Sequence, residues 1–142
     1  MKDYVLDANA VLRYLDPVSA GGGEKVQELF LQAQRGQARL SMSAVNLGEV
    51  LYILIRKIGE QRALHYIRVL QHAVTVLDAD LSRTIQAATL KHQYKLGYAD
   101  SFAASLALGM KATLVSADPT YENIGKSLRW MRLPKFNPAK SR

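Results

Sequence analysis

Short apolar runs alternate along this chain with stretches of helical length, and that alternation leaves few folds open. The runs are residues 3–6, Arg39–Ser41, Ala73–Leu77, Thr113–Val115 and Leu128–Leu133. The first is apolar without alternation, as a strand covered on both faces would be. Between the runs, Glu24–Arg35 places Val26, Leu29, Phe30 and Ala33 on one helical stripe, and Gly36 ends it. Ser43 is the predicted N-cap of a helix reaching Lys57, which Gly59 stops. Glu60–His72 carries Ala63, Leu64, Ile67 and Leu70 on its apolar side. Asp80 is predicted to cap a helix over 81–95 with Leu81, Ile85, Ala88 and Tyr94 facing inward. Gly97 breaks the chain before a further helix beginning near Asp100. Asp16-Pro17 and Gly21-Gly22-Gly23 mark a loop over 16–23. Strands alternating with helices in this way predict an α/β fold, a parallel sheet wrapped by helices.

The 142 residues suffice for one domain with a real core. The absence of cysteine excludes disulfides and thiolate metal sites. No apolar run approaches the ~20 residues of a membrane span, and no basic-then-apolar leader opens the chain, so the expected compartment is the cytoplasm. The net charge of +7 is localised: residues 1–122 hold thirteen Lys and Arg against twelve Asp and Glu. The last twenty residues hold Lys126, Arg129, Arg132, Lys135, Lys140 and Arg142 and no acid. Such a tail suits phosphates or an acidic protein surface, and equally a solvated terminus.

Four acids stand where folding alone explains an acid poorly. Asp7 closes Tyr4-Val5-Leu6, Asp118 follows Thr113-Leu114-Val115, Glu49 lies within an apolar helix, and Asp100 opens Ser101–Leu108. In parallel sheets the functional crevice lies beyond the carboxyl ends of the strands. If the first strand neighbours the strand 113–115, Asp7 and Asp118 face one crevice. Glu49 lies one helical turn from Val45 and Ile53, so its seam is predicted to face inward. Asp100 is followed on its own face by Ala103, Ala104 and Ala107, which let a helix lie close to the sheet. Each acid has a plainer reading: a turn or cap for Asp7, a cap for Asp100, a turn before Pro119 for Asp118, an Arg partner for Glu49. Together they suggest a site for a hard divalent cation, since clustered buried carboxylates are otherwise costly. The histidines His65, His72 and His92 share no ligand spacing.

The ordered set Asp7-Ala8-Asn9-Ala10, Ser43–Val50 with Glu49, Tyr98–Ala104 with Asp100, and Val115-Ser116-Ala117-Asp118 resembles the PIN domain, in detail the VapC-type toxin ribonucleases. The resemblance spans residues 3 to about 133 and implies a three-layer α/β/α nuclease domain over 1–133 with a short-stranded, mostly parallel sheet, followed by a basic tail at 134–142. It implies that Asp7, Glu49, Asp100 and Asp118 are catalytic and hold Mg²⁺ or Mn²⁺ directly or through water. Asn9 and Ser116 match the supporting polar positions, and Tyr121 stands where relatives often have Phe. The implied reaction is hydrolysis of RNA leaving a 5′-phosphate, with Glu49 either a ligand or the group orienting the attacking water. The implied partners are RNA, a VapB-like antitoxin covering the acidic site, and a second copy of the chain. Candidate RNA-binding bases are Arg13, Arg56, Lys57, Lys95 and the tail, and Leu51–Ile58 with Tyr52 is a candidate dimer or groove surface.

Two other classes compete. A haloacid-dehalogenase-type phosphatase also places an Asp after its first strand, but it needs a second Asp where Asn9 stands. A non-catalytic module that keeps the fold would bind RNA or a partner without turnover, and metal-dependent cleavage separates the two.

Overall fold

The computed structural model describes residues 1–15 and 21–134. The break over 16–20 and the tail 135–142 lie outside the described residues. Five strands, β1 (Lys2–Leu6), β2 (Ala38–Ser43), β3 (Val74–Leu77), β4 (Thr113–Ser116) and β5 (Arg129–Arg132), form one sheet in the order β3-β2-β1-β4-β5. Every pairing is parallel, so the sheet is parallel throughout.

The helices are α1 (Ala8–Leu15), α2 (Gly23–Gln34), α3 (Ala44–Ile58), α4 (Glu60–Gln71), α5 (Leu81–Tyr94) and α6 (Tyr98–Met110), with a 3₁₀ segment at Pro119–Ser127. They divide between the two faces of the sheet, as the period of two in a strand requires. On β1, Tyr4 and Leu6 join Leu40, Met42 and Val115 in a core closed by α1 to α4. Val5 and Leu114 point the other way, into a core closed by α6 and the 3₁₀ segment, with Leu90 and Tyr94 of α5 behind. The three layers are those expected of the sequence. None of the described helices is long and apolar enough to cross a membrane.

Local chemistry sets most boundaries. Ser43 caps α3 by accepting from Val45 N–H at 3.2 Å, and Asp80 caps α5 by accepting from Arg83 N–H at 2.9 Å. Gly59, at φ 88°, turns the chain between α3 and α4, a conformation that L side chains resist. Three expectations are corrected. The inward line of α5 is Ala87 with Leu90 and Tyr94, whereas Leu81 and Ile85 are 75% and 58% exposed and Ala88 is exposed too. A spacing of four, then three, fits two adjacent lines of a helix equally, and packing against α6 selects the one through Ala87. On α3 the buried line is Asn46, Val50 and Leu54, so the Val45–Glu49–Ile53 seam sits at its half-buried edge rather than facing inward. Arg13 is not a surface base: it is 7% exposed and donates from Nη1 to Gly21 O at 2.8 Å and Pro134 O at 2.6 Å. It fastens α1 to the approach of α2 and to the end of β5.

Candidate functional site

The chain passes from β1 to β2 on one side and returns to β4 on the other, so the crevice at the carboxyl ends of β1 and β4 is the switch point of the sheet. Asp7 and Asp118 follow those two strands. Asp7 is 1% exposed. Its Oδ1 accepts from Ala10 N–H at 2.9 Å, which caps α1, and its Oδ2 accepts from the Tyr121 hydroxyl at 3.1 Å. The capping reading of Asp7 is realised, and the same side chain also binds Tyr121.

Asp118 caps the 3₁₀ segment, its Oδ1 accepting from Thr120 N–H at 3.0 Å and from the Thr120 hydroxyl at 2.8 Å. The fully buried Ser116 hydroxyl accepts from Asp118 N–H at 3.1 Å and serves Asp7 as a donor. Asn9 Oδ1 accepts from Ala117 N–H at 3.1 Å, tying α1 to the turn between Ser116 and Asp118. Asp100 lies in the first turn of α6, whose N-cap is Gly97 rather than Asp100 itself. Its carboxyl group folds back so closely that a Cβ on Gly97 would stand 3.0 Å from Asp100 Oδ2. The Asp100 and Asp118 carboxyl groups share a hydrogen bond.

Electrostatics separate the three acids. Burial pushes Asp7 up to about 6 against the donors Ser116, Ala10 and Tyr121 that oppose it. Burial also raises Asp100, to about 7, assisted by its hydrogen bond with Asp118 and by the charges of Asp118 and Asp7. Asp118 resists its own burial and falls below the ordinary carboxylate value, because Thr120 and Asp100 donate to it. Tyr121 is raised well above an ordinary phenol, first by burial and then by the facing charges of Asp7 and Asp100. It is a neutral donor throughout the physiological range.

Glu49 is half-buried on α3, and no hydrogen bond or ion pair reaches it among the described residues. One turn before it, Asn46 is fully buried and donates from Nδ2 to Ala99 O at 3.0 Å, joining α3 to the residue before Asp100. Its Oδ1 is a buried acceptor with no donor among the described residues. Tyr121 and Asn46 are the polar residues that sequence reasoning did not assign to the site. The candidate bases are placed unequally. Lys57 lines an apolar groove with Leu15 and Tyr66, at the end of α1 away from Asp7, while Lys95 sits in the α5–α6 turn that leads to Asp100.

The donor chemistry, although not a closed cage, is of the kind that a hard divalent cation takes. Among the described residues no three His, Cys, Asp or Glu side chains converge closely enough to cage an ion by themselves. Mg²⁺ rarely needs such a cage, since it keeps several waters and is held through one or two carboxylates. Asp7, Asp100 and Asp118 offer oxygen donors only, and the ion pairs of the described residues, Asp3–Arg39 and Glu122–Arg132, involve none of them.

Comparison with known proteins agrees with this fold. The PIN domain family model matches residues 4–127. No curated protein sequence matches the chain. Among solved structures, the chain is similar to VapBC2 from Rickettsia felis bound to a promoter DNA fragment, with TM-score 0.73, 17% identity, and 93% of this chain and 99% of that chain covered. DNA-bound VapBC from Salmonella typhimurium gives TM-score 0.72 at 18% identity, covering 93% and 98%. The sarcin-ricin loop cleaving toxin VapC20 from Mycobacterium tuberculosis gives 0.68 at 15%, covering 89% and 98%.

Proposed function

This chain belongs to the PIN domain family, and we propose that it is a metal-dependent endoribonuclease, the toxin of a VapBC-type toxin–antitoxin pair. The observation that carries this reading is the group of three carboxylates at the switch point, two of them held above ordinary carboxylate values. A protein that only needed caps at these positions would have no reason to set Asp100 against Asp118.

In this reading Asp7, Asp100 and Asp118 hold Mg²⁺ or Mn²⁺, directly or through water. The chemistry such an ion supplies is activation of water near neutral pH and neutralisation of charge on the phosphate and the leaving oxygen. Filling the site would require Asp100 to give up the proton that burial and Asp118 hold on it. Ser116 and Asn9 hold the Asp118 turn in place through Asp118 N–H and Ala117 N–H. In the same reading Glu49, on α3, serves as a further ligand or orients the attacking water. Lys95 and the exposed Lys126 and Arg129 supply positive charge for an RNA backbone.

The VapBC complexes among the similar structures support a VapB-like antitoxin as partner, and VapC20 supports RNA as substrate. A second copy of the chain is the third partner, with the exposed Tyr52 and Ile55 of α3 as the surface offered. The test is incubation of purified protein with a mixed RNA pool in Mg²⁺ or Mn²⁺ and in EDTA, beside Asp100→Asn. Cleavage that requires the metal and is lost in the variant supports the nuclease. RNA bound but uncut in both metals would instead make this a non-catalytic binding module.

A further inference from the structure

Among the described residues Tyr121 is the one aromatic side chain hydrogen-bonded to the acidic group, and its surroundings leave it little freedom. It is 1% exposed, and its ring meets Trp130 edge-on at a centroid separation of 6.1 Å. Trp130 is itself anchored, donating from Nε1 to Ser116 O at 3.1 Å and lying under the Arg132 guanidinium at 5.0 Å. The phenol carries one proton and has Asp7 Oδ2 at 3.1 Å and Asp100 O at 3.4 Å in reach, with the Asp100 carboxyl group as a further acceptor. The bond to Asp7 is shorter than that to Asp100 O and ends on a charged acceptor, so the proton goes to Asp7.

Asp7 Oδ1 accepts from Ala10 N–H, and the Ser116 hydroxyl also donates to the carboxylate. A carboxylate turns about its last torsion unless donors on both oxygens hold its plane, and the Tyr121 hydroxyl is a donor on Oδ2. The carboxylate keeps an acceptor direction beyond these donors, so the grip does not block a cation. A phenylalanine here would fill the same space against Trp130 and leave Asp7 Oδ2 without this donor.

Resting on the metal-site reading above, we propose that Tyr121 is a positioning residue: held by Trp130, its hydroxyl fixes the plane of the Asp7 carboxylate and so sets that group for the divalent cation. It acts through Asp7 and touches neither substrate nor metal.

The test is Mn²⁺ affinity measured by electron paramagnetic resonance of the free ion, on the full chain, for wild type, Asp100→Asn, Tyr121→Phe and Val26→Ala. Val26 is a fully buried residue of α2 in the core on the other face of the sheet, and its variant reports what general loosening alone does to affinity. Tyr121→Phe is expected to weaken Mn²⁺ binding about 10-fold, the lower end of what loss of a partner behind a metal ligand costs. Val26→Ala is expected to bind like wild type. Wild-type affinity in Tyr121→Phe, with Asp100→Asn impaired, overturns the positioning role and leaves the metal site standing. Equal weakening in Tyr121→Phe and Val26→Ala also overturns it. No Mn²⁺ binding by wild type overturns the metal site and the positioning role together.

Discussion

Burial, and then the hydrogen bond with Asp118, raises Asp100 to about 7, while Asp118 is lowered against its own burial by donation from Thr120 and Asp100. A folded-state value above the unfolded one means that the native state binds the Asp100 proton more tightly. Its contribution to stability is therefore complete below the ordinary carboxylate value and is lost as pH rises through about 7. Without metal, Asp100→Asn is expected to be more stable than wild type at pH 8, by about 1 kcal/mol or ~2–4 °C in Tm, with the gap closing at pH 5. Calorimetry at the two pH values in EDTA checks the sign. Activity should move the other way, falling on the order of 100-fold or more. Cation affinity of the wild type should rise across pH 5 to 8, because Asp7 near 6 and Asp100 near 7 must both release protons.

At the scale of the element, α6 is the piece that delivers an acid to the rim. Ser101 through Ala107 are all buried, so the helix is fixed on every side, and Ala103, Ala104 and Ala107 allow the close approach read from the sequence. Gly97 sits at φ −61°, where alanine is at ease, so its role is the space beside Asp100 Oδ2. Gly97→Ala should leave Tm within about 2 °C and still reduce cleavage roughly 10-fold by displacing that carboxylate, a split that kinetics and thermal unfolding together reveal. The acids were legible because strand ends and helix starts are local features. Tyr121 and Asn46 were not, since their partners lie 114 and 53 positions away and only the assembled sheet brings them together. The inward line of α5 was misread for a related reason. Leu81 and Ile85 are apolar but exposed, and which line of a helix is buried depends on what packs against it. Glu49 shows the same limit, because periodicity placed its seam inward and the fold centres on Asn46, Val50 and Leu54.

For the whole molecule, Arg13 joins the first helices to the far end of the described chain. Its donations to Gly21 O and Pro134 O link α1, the entry to α2 and the end of β5. Gly22 completes this junction at φ 78°, with a Cβ there meeting Pro134 Cδ at 3.1 Å. Arg13→Met should lose about 2 kcal/mol, a fall in Tm of roughly 4–8 °C, while the salt dependence of RNA binding stays that of wild type. A reduced salt slope would return Arg13 to the RNA-binding surface. The central claim concerns the same scale, because a cation that binds only the folded protein must stabilise all of it. Thermal unfolding of wild type and Asp100→Asn at pH 8, in EDTA and in rising Mn²⁺, measures this directly. Wild type should gain about 1.4 kcal/mol at ten times its Kd, and Asp100→Asn should gain little at the same concentration. Equal gains in the two proteins, or none in wild type, would contradict a cation site built on these carboxylates.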